Sequence, residues 1–163
     1  ATYNRVFKAY IELEEYNAAI ELAIKHFEDI KNTENVSDVK LGFAYNLIAI
    51  SYKWSAEKIK DKKLASGYYV AAIKHFNLAI NSWGEDTNDQ NLKRARATIN
   101  VGLCENEVLL IGLETKSMNS KKIIEKLEKG LKEIKDSKLE SFITKKTKEL
   151  IEIAEATLLN LTK

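Results

Sequence analysis

Proline is absent from this chain, and six glycines are all that could break its helices on backbone grounds. One cysteine, Cys104, excludes an internal disulfide, and with no signal-like segment at the start the expected setting is reducing and cytoplasmic. No long apolar run exists: "VLLIGL" at 108–113 is far too short to span a bilayer. Two histidines and one cysteine are too few for a His-rich or thiolate-rich metal site, which needs three or four converging ligands. A glycine loop of the kind that cradles phosphate is also missing. Charge of one sign is missing too. The formal net charge is +2, so bulk charge argues for neither nucleic acid nor membrane.

What the chain does hold is helix-forming composition. Lys, Glu, Ala, Leu and Ile dominate, 45% of residues are hydrophobic and 31% charged. Its 163 residues suit one all-helical domain, 1–163. Charge is unevenly spread: residues 1–36 carry four basic and seven acidic side chains, and residues 119–163 carry eleven lysines against eight acids. Apolar periodicity and turn residues predict seven antiparallel helices, at roughly 2–14, 16–31, 38–60, 67–83, 88–113, 120–135 and 137–161. Gly67 is expected at the break before the fourth, and Ser137 with Glu140 as a capping box starting the seventh. Short connections favour three helical hairpins stacked side by side. A final helix would close them, with Leu139, Phe142, Leu150, Ala154, Leu158 and Leu161 on one stripe and lysine and glutamate opposite.

The hairpins carry a recurring spacing. Tyr10, Leu13, Tyr16 and Ala19 bracket the first turn. In the second hairpin Tyr45, Ile48, Ala49 and Tyr52 are followed by Tyr69, Ala72, Phe76 and Ala79, with Gly67 two places before Tyr69. A small side chain lets two helices approach closely, and aromatics fill the space beside it. This pattern resembles the tetratricopeptide repeat over residues 1–83. The third hairpin keeps only apolar spacing: Ile124, Leu127, Leu131 and Ile134 in its second helix, and Ile99, Gly102 and Leu103 in its first. The chain departs from the family by an insertion of eleven residues between Tyr52 and Tyr69, about three helical turns, and by lacking the family's terminal proline. The resemblance implies stacked hairpins, either a right-handed superhelix or a compact bundle, with partners lying along the first helix of each hairpin. By position, that assigns Phe43, Asn46, Leu47, Ile50, Lys53 and Trp54 from the second hairpin and Asn4, Arg5 and Lys8 from the first. Leu47 stands where members that grip a terminal carboxylate place an asparagine, so that specialised clamp is not implied.

The pentapeptide "AIKHF" at 23–27 and 72–76 contains both histidines, His26 and His75. The two copies stand one turn out of phase in the repeat, so they read as helix-packing vocabulary used twice rather than a paired site. No arginine closely precedes either histidine, which excludes the HEPN-type ribonuclease arrangement. Cys104 lies in an apolar helix beside Glu105 and Glu107, without the electropositive surroundings a reactive thiolate needs. The pairs Glu14–Glu15 and Glu85–Asp86 fall at turns, where capping and solvation explain them. No complete catalytic set emerges.

These readings lead us to expect a non-enzymatic interaction module or scaffold, without cofactor or metal, binding a peptide or helix of another protein. The alternative expectation is a nucleic-acid-associated subunit. Alternating helix direction places Lys58, Lys60, Lys62, Lys63, Lys116, Lys121 and Lys122 at one end of the stack, with Glu85, Asp86, Asp89 and Asp136 at the other. A small-ligand pocket between the long helices is a third expectation.

Overall fold

A computed structural model describes residues 2–84, 87–112 and 119–163. Among them are seven α-helices: α1 (Thr2–Glu12), α2 (Tyr16–Lys31), α3 (Asp38–Lys58), α4 (Lys62–Ser82), α5 (Asn88–Ile111), α6 (Ser120–Ile134) and α7 (Lys145–Leu161). A 3-10 segment, Ser137–Phe142, joins the last two. With no proline to start or stop a helix, side-chain caps set the starts. Ser37 accepts a hydrogen bond from the Lys40 N–H, Thr87 from Gln90 and Asn119 from Lys122. Each satisfies a backbone donor that the first turn leaves without a partner. Gly112 ends α5 in the left-handed region at φ +74°, a conformation that costs glycine nothing.

The break between α3 and α4 lies earlier than the glycine suggests. Gly67 is inside α4, and Asp61 starts that helix by accepting from the N–H groups of Lys63 and Leu64. An aspartate with two backbone donors in reach outcompetes a glycine whose only asset is freedom. The inserted residues therefore extend both long helices and leave a connection of only three residues, 59–61. The start of α7 also moves. Asp136 accepts from the Lys138 N–H and tightens 137–142 into a 3-10 turn, and Thr144 then caps α7. Leu139 is consequently buried from the connector and Phe142 is exposed, so neither lies on the α7 stripe. That helix leaves Ile153 and Leu159 largely exposed, and its outer surface is less polar than the lysine–glutamate pattern suggests.

Every helix packs on its neighbour in sequence, and the hairpins are antiparallel. Gly42 near the start of α3 lies under Trp83 at the end of α4, and Gly130 late in α6 lies against Ala95 and Ile99 early in α5. Contacts also join α1 with α3, α3 with α5 and α5 with α7, while among the described residues α2 and α4 meet through the Tyr68 hydroxyl, which donates to Asn17 Oδ1 at 3.2 Å. The odd-numbered helices, all running the same way, thus form one contiguous layer.

Three apolar clusters hold the stack. The first joins Phe7 and Ile11 of α1 to Ala19, Ala23 and Ile48. The second is built from alanines and rings: Ala49, Ala56, Ala65, Ala72 and Ala79 leave room for Tyr69, Phe76 and Trp83, with Ala97, Val101, Cys104 and Val108 completing it from α5. All four positions that carried the repeat spacing in α4 are buried there. The third is aliphatic, with Ile99, Leu103, Ile123, Leu127, Leu131 and Ile134 over Ala154. On α3 the buried Ser51 and Ser55 donate to the carbonyls of Leu47 and Ser51, at 2.9 and 2.7 Å. They present little bulk and leave no donor unsatisfied.

Candidate functional site

The odd-numbered layer is where the sequence-predicted partner residues lie. On α1, Arg5 and Lys8 are exposed; the side chain of Asn4 lies outside the described residues. On α3, Phe43, Asn46, Leu47, Ile50, Lys53 and Trp54 recur at helical spacing, but the structure divides them. Leu47 and Trp54 are half-buried against the first cluster, and Ile50 against the second. Phe43 is 43% exposed, meets the Trp83 ring edge-to-face at 6.0 Å, and carries the Lys93 ammonium 4.2 Å above its face. Asn46 and Lys53 are partly accessible, and Lys53 pairs with Glu57 at 2.9 Å.

The contacts to α5 show what the sequence reading missed. Phe43 faces Lys93, and Glu57 acts on Glu107. Both pairs have the same separation in sequence. Two helices of equal pitch running the same way keep that register in between, which sets Asn46 level with Arg96 and Ile50 level with Asn100. The strip on α5 is thus Lys93, Arg96, Asn100 and Glu107. Its signal in the sequence was polar residues at intervals of three, four and seven on the side of α5 away from Ile99 and Gly102.

The electrostatics of the two ends differ. Lys93 also pairs with Asp89, and Lys93 and Phe43 cover one another. Arg96 is half-buried, and withdrawal from water pushes its guanidinium below its ordinary range. No ion pair or hydrogen bond to Arg96 is formed among the described residues. At the other end burial, and then the Glu57 carboxylate, push the Glu107 carboxyl above the usual range, and Lys53 opposes them. Chemically, the strip offers a ring under an ammonium at its head, then a guanidinium and two amides around an isoleucine, and two carboxylates sharing one ammonium beyond.

The lysines assigned to one end of the stack stand at the connections between helices. Lys58, Lys60, Lys62 and Lys63 surround the α3–α4 connection, Lys121 and Lys122 open α6, and all are exposed. Lys116, and Glu85 and Asp86 at the opposite end, lie outside the described residues. The lysines share their end with Asp61 and with the exposed Glu12, Glu14 and Glu15 of the α1–α2 turn.

The histidines lie on different helices, α2 and α4. His75 stacks on Tyr52 at 5.8 Å, and its Nδ1 lies 2.8 Å from the Ala71 carbonyl oxygen. His26, on α2, has its imidazole held below the ordinary value by burial. Among the described residues no group of three His, Cys, Asp or Glu side chains could hold a metal. Cys104 is fully buried, which pushes its thiol up to about 12. A cavity of about 230 Å³ lies where α5 begins, lined by Asn88, Asn91, Glu133 and Asp136 among others. That is below the ~300 Å³ where ligand pockets begin, and it lies at the opposite end of α5 from Glu107. Among the described residues no helix is long and apolar enough to cross a membrane. Neither a family model, nor a curated protein, nor a solved structure matches the chain.

Proposed function

We propose that this chain is a protein-interaction module, similar in design to the tetratricopeptide repeats, whose odd-numbered helix layer takes a peptide or helix from another protein. The observation that carries the reading is the strip between α3 and α5. Phe43 stands 43% exposed at its head, and Arg96 beyond it is half-withdrawn from water without a carboxylate. A cation half-withdrawn from water gains from an acceptor, and an arriving one would supply the missing partner. Apolar anchors flanked by a few polar groups are what peptide grooves use.

Site-specific photocrosslinking tests this. A photoreactive residue at Phe43 is expected to give a discrete adduct in native extract, and one at exposed Lys74 of α4 is expected to give none. Equal labelling from both positions, or none from either, would sink the proposal. The nucleic-acid reading rests on the exposed Lys58, Lys60, Lys62, Lys63, Lys121 and Lys122. The acidic residues sharing that end weaken it. A salt-sensitive mobility shift with RNA or DNA, abolished by replacing Lys60, Lys62 and Lys63, would favour it instead.

A further inference from the structure

Three side chains with unused hydrogen-bonding capacity share one stretch of the α3–α5 strip. Phe43 faces Lys93, Lys53 acts on the Cys104 thiol, and Glu57 acts on Glu107. These contacts hold the two helices in one register. Arg96 is then level with Asn46, and Asn100 follows one turn later on the same stripe of α5. All three side chains are half-buried. Among the described residues none of them makes a hydrogen bond or an ion pair. The guanidinium brings five N–H donors in a planar fork, and each amide brings two more. Polar side chains drawn out of water usually find protein partners. Three together without any depart from that rule.

The acids of the two helices are engaged elsewhere. No acid occurs within six residues of Asn46 on α3 or of Arg96 on α5. Asp38 belongs to the first turn of α3. Asp89 pairs with Lys93 and stands about 10 Å from Arg96 along the helix. Glu105 is turned to Lys126 of α6. Glu57 and Glu107 come about 16 Å further on, where Lys53 serves them. The exposed Lys58, Lys60, Lys62 and Lys63 lie beyond those again. On α7, Glu155 pairs with Lys135 of α6. Burial alone lowers the Arg96 guanidinium, with no carboxylate acting against it. The feature is therefore local, one cation and two amides, whatever the charges at the ends of the helices.

We infer that Arg96, Asn46 and Asn100 form a receptor for one side-chain carboxylate of a partner helix, whose apolar residues one turn to either side meet Phe43 and Ile50. The guanidinium fork matches the two carboxylate oxygens, and the amides donate to the lone pairs left over. One positive charge balances one carboxylate. A phosphate dianion would keep a charge unbalanced, because Lys93 is already offset by Asp89. A terminal carboxylate would end the segment at Arg96 and leave one of the two apolar contacts unused. Phe43 and Ile50 stand three and four residues from Asn46, one helical turn to each side. The matching motif is an acid with apolar residues three or four places before and after it, on a helix. The inference rests on the groove reading above and names the motif that its partner carries.

The test selects a displayed library of helical peptides, randomised at three positions one turn apart, on the full chain. The unaltered protein is expected to enrich an acid at the middle position between apolar residues. Arg96→Gln is expected to erase that preference. Arg96→Glu is expected to enrich a base there instead, a reversal that damage to the fold would not give. An enriched peptide, synthesised and followed by fluorescence anisotropy, should bind about tenfold more weakly once its acid is replaced by the amide. Tighter binding with phosphoserine at that position would overturn the carboxylate assignment. Peptides without an acid preference, or with one that Arg96→Glu leaves unchanged, overturn the inference; if Phe43→Ala still weakens them, the groove reading stands. No enrichment, or peptides indifferent to both Arg96→Glu and Phe43→Ala, overturns both.

Discussion

The α3–α4 hairpin and the α5–α6 hairpin solve one problem in two vocabularies. Both bring long helices into close contact. In α3–α4 the contact is made by alanines and serines, and the rings of Tyr69, Phe76 and Trp83 fill what they leave. Gly42 is the extreme case, its surface covered by the Trp83 indole. In α5–α6 the aliphatic side chains interlock, and glycine is used reciprocally: Gly102 lies under Leu127, and Gly130 lies under Ile99. The difference teaches that close helix approach requires only small residues somewhere on the seam. Which large residues occupy the remainder is a separate choice.

The sharpest way to break the comparison is to hollow each seam. Phe76→Ala should cost about 4 kcal/mol and Leu127→Ala about 3 kcal/mol in urea unfolding. A ring leaves the larger cavity, and the alanines around it have no atoms with which to close in. Similar losses from both would show that the two seams relax alike. Next come the glycines. A Cβ at Gly130 would stand 2.6 Å from Ile99 Cγ1 and 3.2 Å from the Ala95 carbonyl oxygen, which is backbone and cannot swing aside. Gly130→Ala should therefore cost about 2 kcal/mol despite its better helix propensity. At Gly42 the obstacle is the Trp83 side chain, within 2.5 Å. Trp83→Phe should relieve part of the damage done by Gly42→Ala, and a double-mutant cycle in thermal unfolding measures it.

Gly67 is the control for both. It lies within α4 with open space where a Cβ would go. Gly67→Ala should stabilise the protein by about 0.8 kcal/mol. A loss instead would mean that the glycine is needed for something other than helix formation.

The smallest expected effect is at the α3–α5 strip, outside either seam. Glu107 is raised by burial and by Glu57, with Lys53 acting against them. A carboxyl with a raised folded pKa favours folding below the ordinary carboxylate range, and that contribution is lost as pH climbs through the raised value. Glu107→Gln should thus raise the melting temperature slightly at neutral pH. The difference should vanish in acid, where both side chains are neutral. A benefit that persists in acid would point away from charge.

The same contrast explains what could be read from the sequence. The ring-and-alanine seam leaves a recognisable signature, because Tyr69, Ala72, Phe76 and Ala79 alternate large and small at fixed helical intervals. The aliphatic seam leaves only hydrophobic periodicity, which many helical arrangements share. The helix bodies were legible for that reason, and the breaks less so. Asp61 and Asp136 look like ordinary surface aspartates until their side chains are seen accepting backbone N–H groups. At the candidate site, the α3 residues could be placed because the repeat spacing located them. Leu47 and Trp54 could not be told from groove residues, since packing against α1 is a tertiary fact. Arg96 and Glu107 stayed hidden because their importance comes from lying level with Asn46 and Glu57 on a helix that begins thirty residues after α3 ends.

The helices touch mainly their neighbours along the chain, and the α3–α4 and α5–α6 clusters share no residues. Such a molecule has little loop-closure entropy to overcome before its first contacts form, so it should fold quickly. It also has a natural parting line. Amide hydrogens in α6 and α7 can exchange through an opening that leaves Tyr69, Phe76 and Trp83 in place, giving that end a lower protection ceiling than α4. The stack would then behave as a row of linked units whose far end opens before its middle.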